Sequence, residues 1–323
     1  MTPFRSAKRL ARTVLKRLKG GGRGRGSGPR VSEFADAVDR RREWMDVHLP
    51  PESAEYLYDI HAKDKQKALA RQLGLAVAEE YLTRVPFAEA LAYVETCEHD
   101  ALVLKPMHGR SGAGVFTLVR EGTRFRDLKN GKLLSLADIK REGDESYGSL
   151  GRRDEWQVEE LLLPPDGSHE HIEDYKFFCF AGRVALILQK GVVGKGRRRK
   201  GVIRWYDPDW QPVVTGVWPW AVSDALEPPA AADALVSEAE RATRQIPLPF
   251  MRIDLYDSHR GVVLGEFTPG PGGLRQFNDE WQARFIRLYR EAAAELEAGL
   301  RTGAIAPLMP PGSTRPQPVA ARK

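Results

Sequence analysis

Two acidic residues interrupt apolar, strand-like segments in the C-terminal third of the chain. Asp254 lies within Met251–Asp257 (MRIDLYD) and Glu266 within Val262–Phe267 (VVLGEF), with a short polar turn between them. A carboxylate in an apolar segment is costly unless its charge is compensated, and a divalent cation does this. Magnesium takes a few carboxylates and completes its shell with substrate phosphates and water. If the turn centres on Arg260, Asp254 stands directly across from Glu266 with Cβ atoms about 4.5–5.5 Å apart. A slip of one residue would send the two to opposite faces. The competing reading is a half-exposed hairpin with both carboxylates in water, so the register decides between them.

A second segment suits phosphate chemistry. Lys105 ends the compact strand Ala101–Lys105 (ALVLK), and the Gly-rich stretch His108–Gly114 follows, before a strand Val115–Val119. Glycines let backbone N–H groups approach phosphate oxygens closely, and the lysine adds a point charge. A plain hairpin turn has the same composition, so this segment alone leaves both readings open.

The elements that must carry these residues follow from pattern and punctuation. Residues 31–95 read as mainly helical, broken at Leu49-Pro50-Pro51. Trp156–Leu163 reads as a strand, and Tyr175–Lys190 as two strands turned at Ala181-Gly182. Ala230–Ile246 reads as a helix, and Asn278–Leu300 as a long closing one. Hairpins mixed with helices, without regular βαβ alternation, predict an α+β fold with antiparallel sheets. Neither a Walker-type loop nor a G-x-G-x-x-G between strand and helix is present.

Charge is unevenly placed. The 323 residues carry a formal net charge of +6, but residues 1–30 hold ten Lys or Arg and no acid. The remainder keeps 40 of the 50 basic residues against all 44 acidic ones, a net of −4, which argues against nucleic acid as partner. Residues 4–19 form a basic amphipathic pattern, either a foot on an anionic membrane surface or a solvated helix or tail, and Gly20–Arg30 reads as a linker. No apolar run is long enough to span a bilayer. Two cysteines far apart, Cys97 and Cys179, fit a reducing compartment, so a cytoplasmic location is expected.

Several of these elements together resemble the ATP-grasp superfamily. Asp64-Lys65 opens a helix, Lys105 precedes the Gly-rich loop, and Val158-Glu159-Glu160-Leu161 matches a hinge strand. Arg252-x-Asp254 and Glu266-x-Thr268 with the following Pro-Gly match the closing motifs. Asp174-Tyr175-Lys176 through Gly182, Trp205-Tyr206-Asp207 through Trp210 and the Gly265-Glu-Phe-Thr-Pro-Gly ending are similar to the teichuronopeptide-biosynthesis (TupA-like) branch. The resemblance spans roughly residues 62–273 and implies two β-rich subdomains with a nucleotide held between them.

It also implies roles. Lys65 and Lys105 would contact ATP phosphates, with Gly109, Ser111, Gly112 and Gly114 looping over them. Glu159 or Glu160, with Leu161, would meet adenine and ribose, and Asp254, Glu266 and Thr268 would hold Mg²⁺. Arg252, with Lys105, would act catalytically on charge developing at the transferred phosphoryl group. Lys176 is either a further phosphate contact or a surface lysine. Thr268 departs from the more common metal-binding Asn, and the acceptor-binding domain that often precedes the fold has too little chain here. The implied organisation is a basic segment and linker (1–30), a helical region (31–95), a nucleotide-lid subdomain (96–160), a metal-bearing subdomain (161–302) and a disordered tail (303–323).

The implied activity is ATP-dependent activation of a carboxylate as acylphosphate for ligation to an amine, in cell-surface polysaccharide or peptide-modified glycan biosynthesis. Transfer to a sugar or alcohol, and a nucleotide-binding membrane-associated scaffold, are the alternatives. His169-Glu170-His171 reads as an exposed loop. Lys195–Lys200 is a solvated loop or a cover over anionic substrate, and Trp205, Trp210, Trp218 and Trp220 are packing groups before they are a sugar platform.

Overall fold

A computed structural model describes residues 32–60, 62–108, 114–148, 153–194, 200–216, 221–273 and 276–313. The basic segment 1–30, the loop residues Gly109, Ser111 and Gly112, the basic run 195–199 and Trp218 and Trp220 lie outside the described residues. Of the two units into which the chain divides, Glu33–Lys323 carries the helices and strands that follow.

Four short helices come first: α1 (Glu33–Asp39), α2 (Arg41–His48), α3 (Pro51–Tyr58) and α4 (Lys63–Gln72). The Pro-Pro break does what its chemistry requires. Pro50 is extended at φ −56°, ψ 146°, and Pro51 starts α3, where its missing N–H costs nothing. Strands β1 (Ala76–Val77) and β2 (Glu80–Val85) follow, then α5 (Phe87–Thr96), β3 (Ala101–Pro106), β4 (Phe116–Glu121), β5 (Arg124–Asp127), β6 (Lys132–Leu134), α6 (Leu136–Gly148) and β7 (Trp156–Glu160). The second half holds β8 (Asp174–Phe180), β9 (Arg183–Val193), β10 (Lys200–Tyr206), β11 (Ala221–Val222), α7 (Ala232–Arg244), β12 (Met251–Ser258), β13 (Gly261–Thr268) and α8 (Asp279–Thr302). Asn278 caps α8 by accepting from Trp281 N–H at 2.9 Å, and Gly303 ends it at φ 75°.

The strands form two sheets, as expected for α+β. A seven-stranded sheet has the order β1-β13-β12-β8-β9-β10-β11, and a six-stranded sheet the order β2-β7-β3-β4-β5-β6. Pairing is antiparallel except at two short strands, β1 on β13 and β11 on β10. The mainly helical region 31–95 also contributes β1 to one sheet and β2 to the other.

Alternation along the strands divides each sheet into faces. In the smaller sheet Leu102, Leu104, Phe116, Leu118, Trp156 and Val158 pack with Phe87, Ala90 and Val94 of α5 and Ile139 of α6. The intervening residues, Val103, Lys105, Thr117, Gln157 and Glu159, fall on the other face. In the larger sheet Phe177, Ile253, Leu255, Leu264 and Phe267 join a core with Leu57 of α3, Leu69 of α4 and Leu235 of α7. Its opposite face is split along its length. Phe178, Phe180, Leu186, Leu188, Ile203 and Trp205 pack under α1 and α8, whereas Asp174, Lys176, Arg252, Asp254, Glu266 and Thr268 form a charged region.

The β8–β9 turn falls where expected. Ala181 and Gly182 have φ of 43° and 78°, the paired positive angles of a tight two-residue hairpin. A Cβ at Gly182 would lie 2.6 Å from the Cα of Arg244 in α7. Gly182→Ala therefore adds left-handed strain to a backbone clash and is expected to cost about 2–4 kcal/mol. Thermal unfolding should show a melting temperature lower by about 5 °C or more; an unchanged melt would mean that α7 does not press on this turn.

One correction concerns the tail. Residues 307–313, expected to be disordered, run back over the helical layer. Gln72 Nε2 donates to the Met309 carbonyl at 2.9 Å, Ser313 bonds to Glu52, and Leu308 packs on the main core. The apolar Leu308-Met309 pair supplies what the Pro-rich composition conceals.

Candidate functional site

Asp254 and Glu266 face each other in register, and so do Arg252 and Thr268. The turn, however, does not centre on Arg260. The tip of the hairpin pairs Ser258 with Gly261 across a two-residue turn, and the register shifts between Asp254 and Leu255, whose partners are Glu266 and Leu264. Gly265 is thus an extra residue on β13, a β-bulge. It explains why Leu264 and Phe267, three apart, both enter the same core while Glu266 and Thr268 turn to the opposite face.

The Asp254 carboxylate is 3% exposed and held by two cations. Arg252 grips it in bidentate fashion, Nε to Oδ1 at 2.7 Å and Nη2 to Oδ2 at 2.9 Å, and Lys176 of the adjacent β8 donates to Oδ2. Arg252 Nη2 also donates to Thr268 Oγ1 at 3.0 Å and stands 3.9 Å from Glu266 Oε2. Lys176 further pairs with Asp174 at 2.6 Å, whose second oxygen is buried without a hydrogen bond. The compensation expected of a metal is supplied in this structure by Arg252 and Lys176.

The protonation tendencies follow from this crowding. Burial works against charge on Lys176, but Asp254 and Asp174 prevail and raise its pKa. Burial, then the neighbouring Asp254, raises the Glu266 carboxyl. Burial and the proximity of Lys176 lower Lys190, which stands across from Asp174 on β9.

The smaller sheet presents a matching cluster. Glu159 is 7% exposed, and its two oxygens are taken by two lysines, Lys105 at Oε1 and Lys67 of α4 at Oε2 (2.9 Å). Gln157 Nε2 adds a contact at 3.2 Å. Burial pushes Glu159 upward, yet Lys105 and Lys67 together hold it below the usual glutamate range. Glu160 turns the other way, taking Arg260 from the β12–β13 turn and Glu79 N–H at 3.0 Å. The phenol of Tyr256, raised well above its ordinary pKa by burial, feels Asp174 and Asp254 of one sheet and Glu159 of the other. The Arg260–Glu160 ion pair, from the β12–β13 turn to β7, joins the two sheets beside these clusters.

The structure thus brings Lys105 and Glu159 together on the smaller sheet, and Lys176, Arg252, Asp254, Glu266 and Thr268 on the larger. Leu161 packs in a small apolar cluster with Val119 and Leu128. Gly114, at φ 72°, closes the Gly-rich loop just ahead of β4. Lys65 does not join them: its ammonium pairs with Asp59 at 2.9 Å. Lys67, which sequence reasoning passed over, takes that place. Two residues along a helix are about 200° apart, so only one of these lysines can face Glu159, and phase alone does not say which. Lys190 was also missed, although it continues the Leu186, Leu188 alternation as a cation. Trp205 and Trp210 are buried packing groups.

Asp254, Glu266 and Thr268 are oxygen donors of the kind magnesium takes, with Asp254 and Thr268 bonded to Arg252 in this structure. Among the described residues no group of three or more His, Cys, Asp or Glu closes around a metal. Two facing carboxylates and a hydroxyl offer hard oxygens while leaving positions for phosphate and water. The Glu266 side chain is 52% exposed, so it can turn toward an arriving cation. No helix among the described residues is long and apolar enough to cross a membrane.

A family model described as TupA-like ATPgrasp matches residues 61–285. No curated protein matches the chain. Among solved structures it is similar to the ATP-grasp ligase PsnB complexed with minimal precursor, at 15% identity and TM-score 0.41, over 80% of this chain and 69% of that one. It is also similar to D-alanine–D-alanine ligase from Helicobacter pylori (15%, TM-score 0.39, 72% and 58%). The corresponding Bacillus anthracis ligase complexed with ATP gives 13% and TM-score 0.44, over 82% and 76%. The chain thus spans between 58% and 76% of the lengths of these three proteins.

Proposed function

Because the chain belongs to the TupA-like ATP-grasp family, we propose that it is an ATP-dependent ligase joining a carboxylate to an amine. One observation carries the reading: Asp254 and Glu266 meet in register on the face that also presents Arg252 and Lys176. The γ-phosphoryl group of ATP passes to a carboxylate oxygen and ADP leaves. The amine then attacks the acyl carbon, its proton goes to solvent, and inorganic phosphate departs.

The protein's part is positioning and charge. Lys105 and Lys67, already held at Glu159, offer two ammonium groups to the phosphates. Arg252 and Lys176 lie beside the carboxylate that orients the transferring group. Asp254 and Glu266, with Thr268 beside them, would hold Mg²⁺, which neutralises phosphate charge when bound. The setting we propose is amino-acid or peptide attachment to a cell-surface glycan precursor, supported by the family's name; a peripheral site at the inner membrane face is proposed from residues 1–30.

The test is ATP turnover with a panel of carboxylic acids and hydroxylamine. Carboxylate-dependent ADP release with hydroxamate formation is expected, because hydroxylamine captures an acylphosphate. Absence of ADP, or a stable phosphorylated alcohol in place of hydroxamate, would overturn the reading.

A further inference from the structure

We infer that Gly265 is a positioning residue: the β13 bulge sets it out of the pairing so that Glu266 meets Asp254, and the absence of a Cβ there keeps the two carboxylates apposed. This rests on the proposed metal–nucleotide reading and adds to it a residue without functional groups.

The geometry makes the step explicit. From Ser258–Gly261 to Leu255–Leu264 the hairpin runs in one register, and from Asp254–Glu266 to Arg252–Thr268 in another. If the first register ran on without the bulge, Asp254 would face Gly265, and Glu266 would fall opposite Ile253, inside the core that Ile253, Leu264 and Phe267 fill. Phe267, fully buried as it stands, would exchange places and meet Arg252 among the charges. An apolar core and a charged face thus both depend on the bulge that absorbs Gly265.

The position has no room for a side chain. A Cβ on Gly265 would lie 2.8 Å from Tyr256 Cε2 and 3.2 Å from the carbonyl oxygen of Asp254. The ring of Tyr256 packs against Ala78, Leu162 and Val263 and does not swing freely. The second contact is backbone, and it belongs to the residue whose carboxylate is at stake. A methyl group would therefore push Asp254 and Glu266 apart, although it touches neither carboxylate. Val222 of β11, 66% exposed and outside the charged face, is a natural comparison.

Mn²⁺ binding to the full chain in the presence of ATP, followed by the electron paramagnetic resonance of free Mn²⁺, tests this. Gly265→Ala is expected to weaken Mn²⁺ at least tenfold, whereas Val222→Ala leaves it within twofold of wild type. If Gly265→Ala folds poorly, Gly265→Ala with Tyr256→Ala removes the ring contact and keeps the one to Asp254. It should still bind Mn²⁺ at least threefold more weakly than Tyr256→Ala alone. Wild-type affinity in Gly265→Ala, or a double variant equal to Tyr256→Ala, overturns the inference. Failure of wild-type protein to bind Mn²⁺ with ATP would instead sink the metal–nucleotide reading on which it rests.

Discussion

Asp254→Asn is expected to abolish ATP turnover, with kcat lowered about a thousandfold or more. The substitution keeps the shape of the side chain and removes its charge. It leaves Arg252 and Lys176, which grip the carboxylate from two sides, without their common anion. Buried ion pairs broken on one side are destabilised by about 3–5 kcal/mol, so the variant must be shown to be folded, by circular dichroism and a thermal melt. Nucleotide-dependent Mn²⁺ binding should disappear with turnover. A folded Asp254→Asn protein with more than a tenth of wild-type turnover would remove this residue from the site.

Glu159→Gln should act on stability, and its effect should depend on pH. Lys105 and Lys67 hold the folded-state carboxyl below its ordinary value of 4.5. A depressed carboxyl pKa stabilises the folded protein above the ordinary value, and that stabilisation is lost as pH falls through the folded value. At neutral pH the variant should therefore be less stable by about 2–3 kcal/mol, the worth of hydrogen bonds to a charged group. The gap should close as the wild type is acidified below 4.5. Parallel urea titrations at pH 7 and at acid pH measure it; a constant gap would show that the lysines do not lean on this charge.

Much of the charged cluster on the larger sheet was legible in the sequence, because its chemistry sits in one hairpin. Arg252, Asp254, Glu266 and Thr268 fall where local alternation and a turn dictate. Even there the register came out right for a different reason, since a bulge at Gly265 does the work ascribed to a turn at Arg260. Glycine in a strand hints at a bulge, but the hint becomes a register only when Leu264 and Phe267 are seen in one core. The cluster at Glu159 was harder. Lys65 and Lys67 are chemically equal in sequence, and the choice between them depends on how α4 is rotated against Glu159, a contact 92 residues away. Strands β5, β6 and β10 and helix α6 went unread because polar residues break their periodicity. β10 (KGVIRWY) shows its apolar face only once Ile203 and Trp205 have α8 to pack under.

Helix α4 puts the matter of spacing in genetic terms. Gln66 accepts from the Phe267 N–H in one sheet at 3.0 Å, while its neighbour Lys67 reaches Glu159 in the other at 2.9 Å. Consecutive helical positions differ by about 100° in direction, so one short helix addresses both sheets from adjacent codons. A one-residue insertion or deletion ahead of Gln66 would rotate both side chains off their targets together, however polar the helix looks. Lengthening by two turns, about seven residues, restores the phase. Length variation among descendants of this chain should then come in such steps at α4, or be absent there.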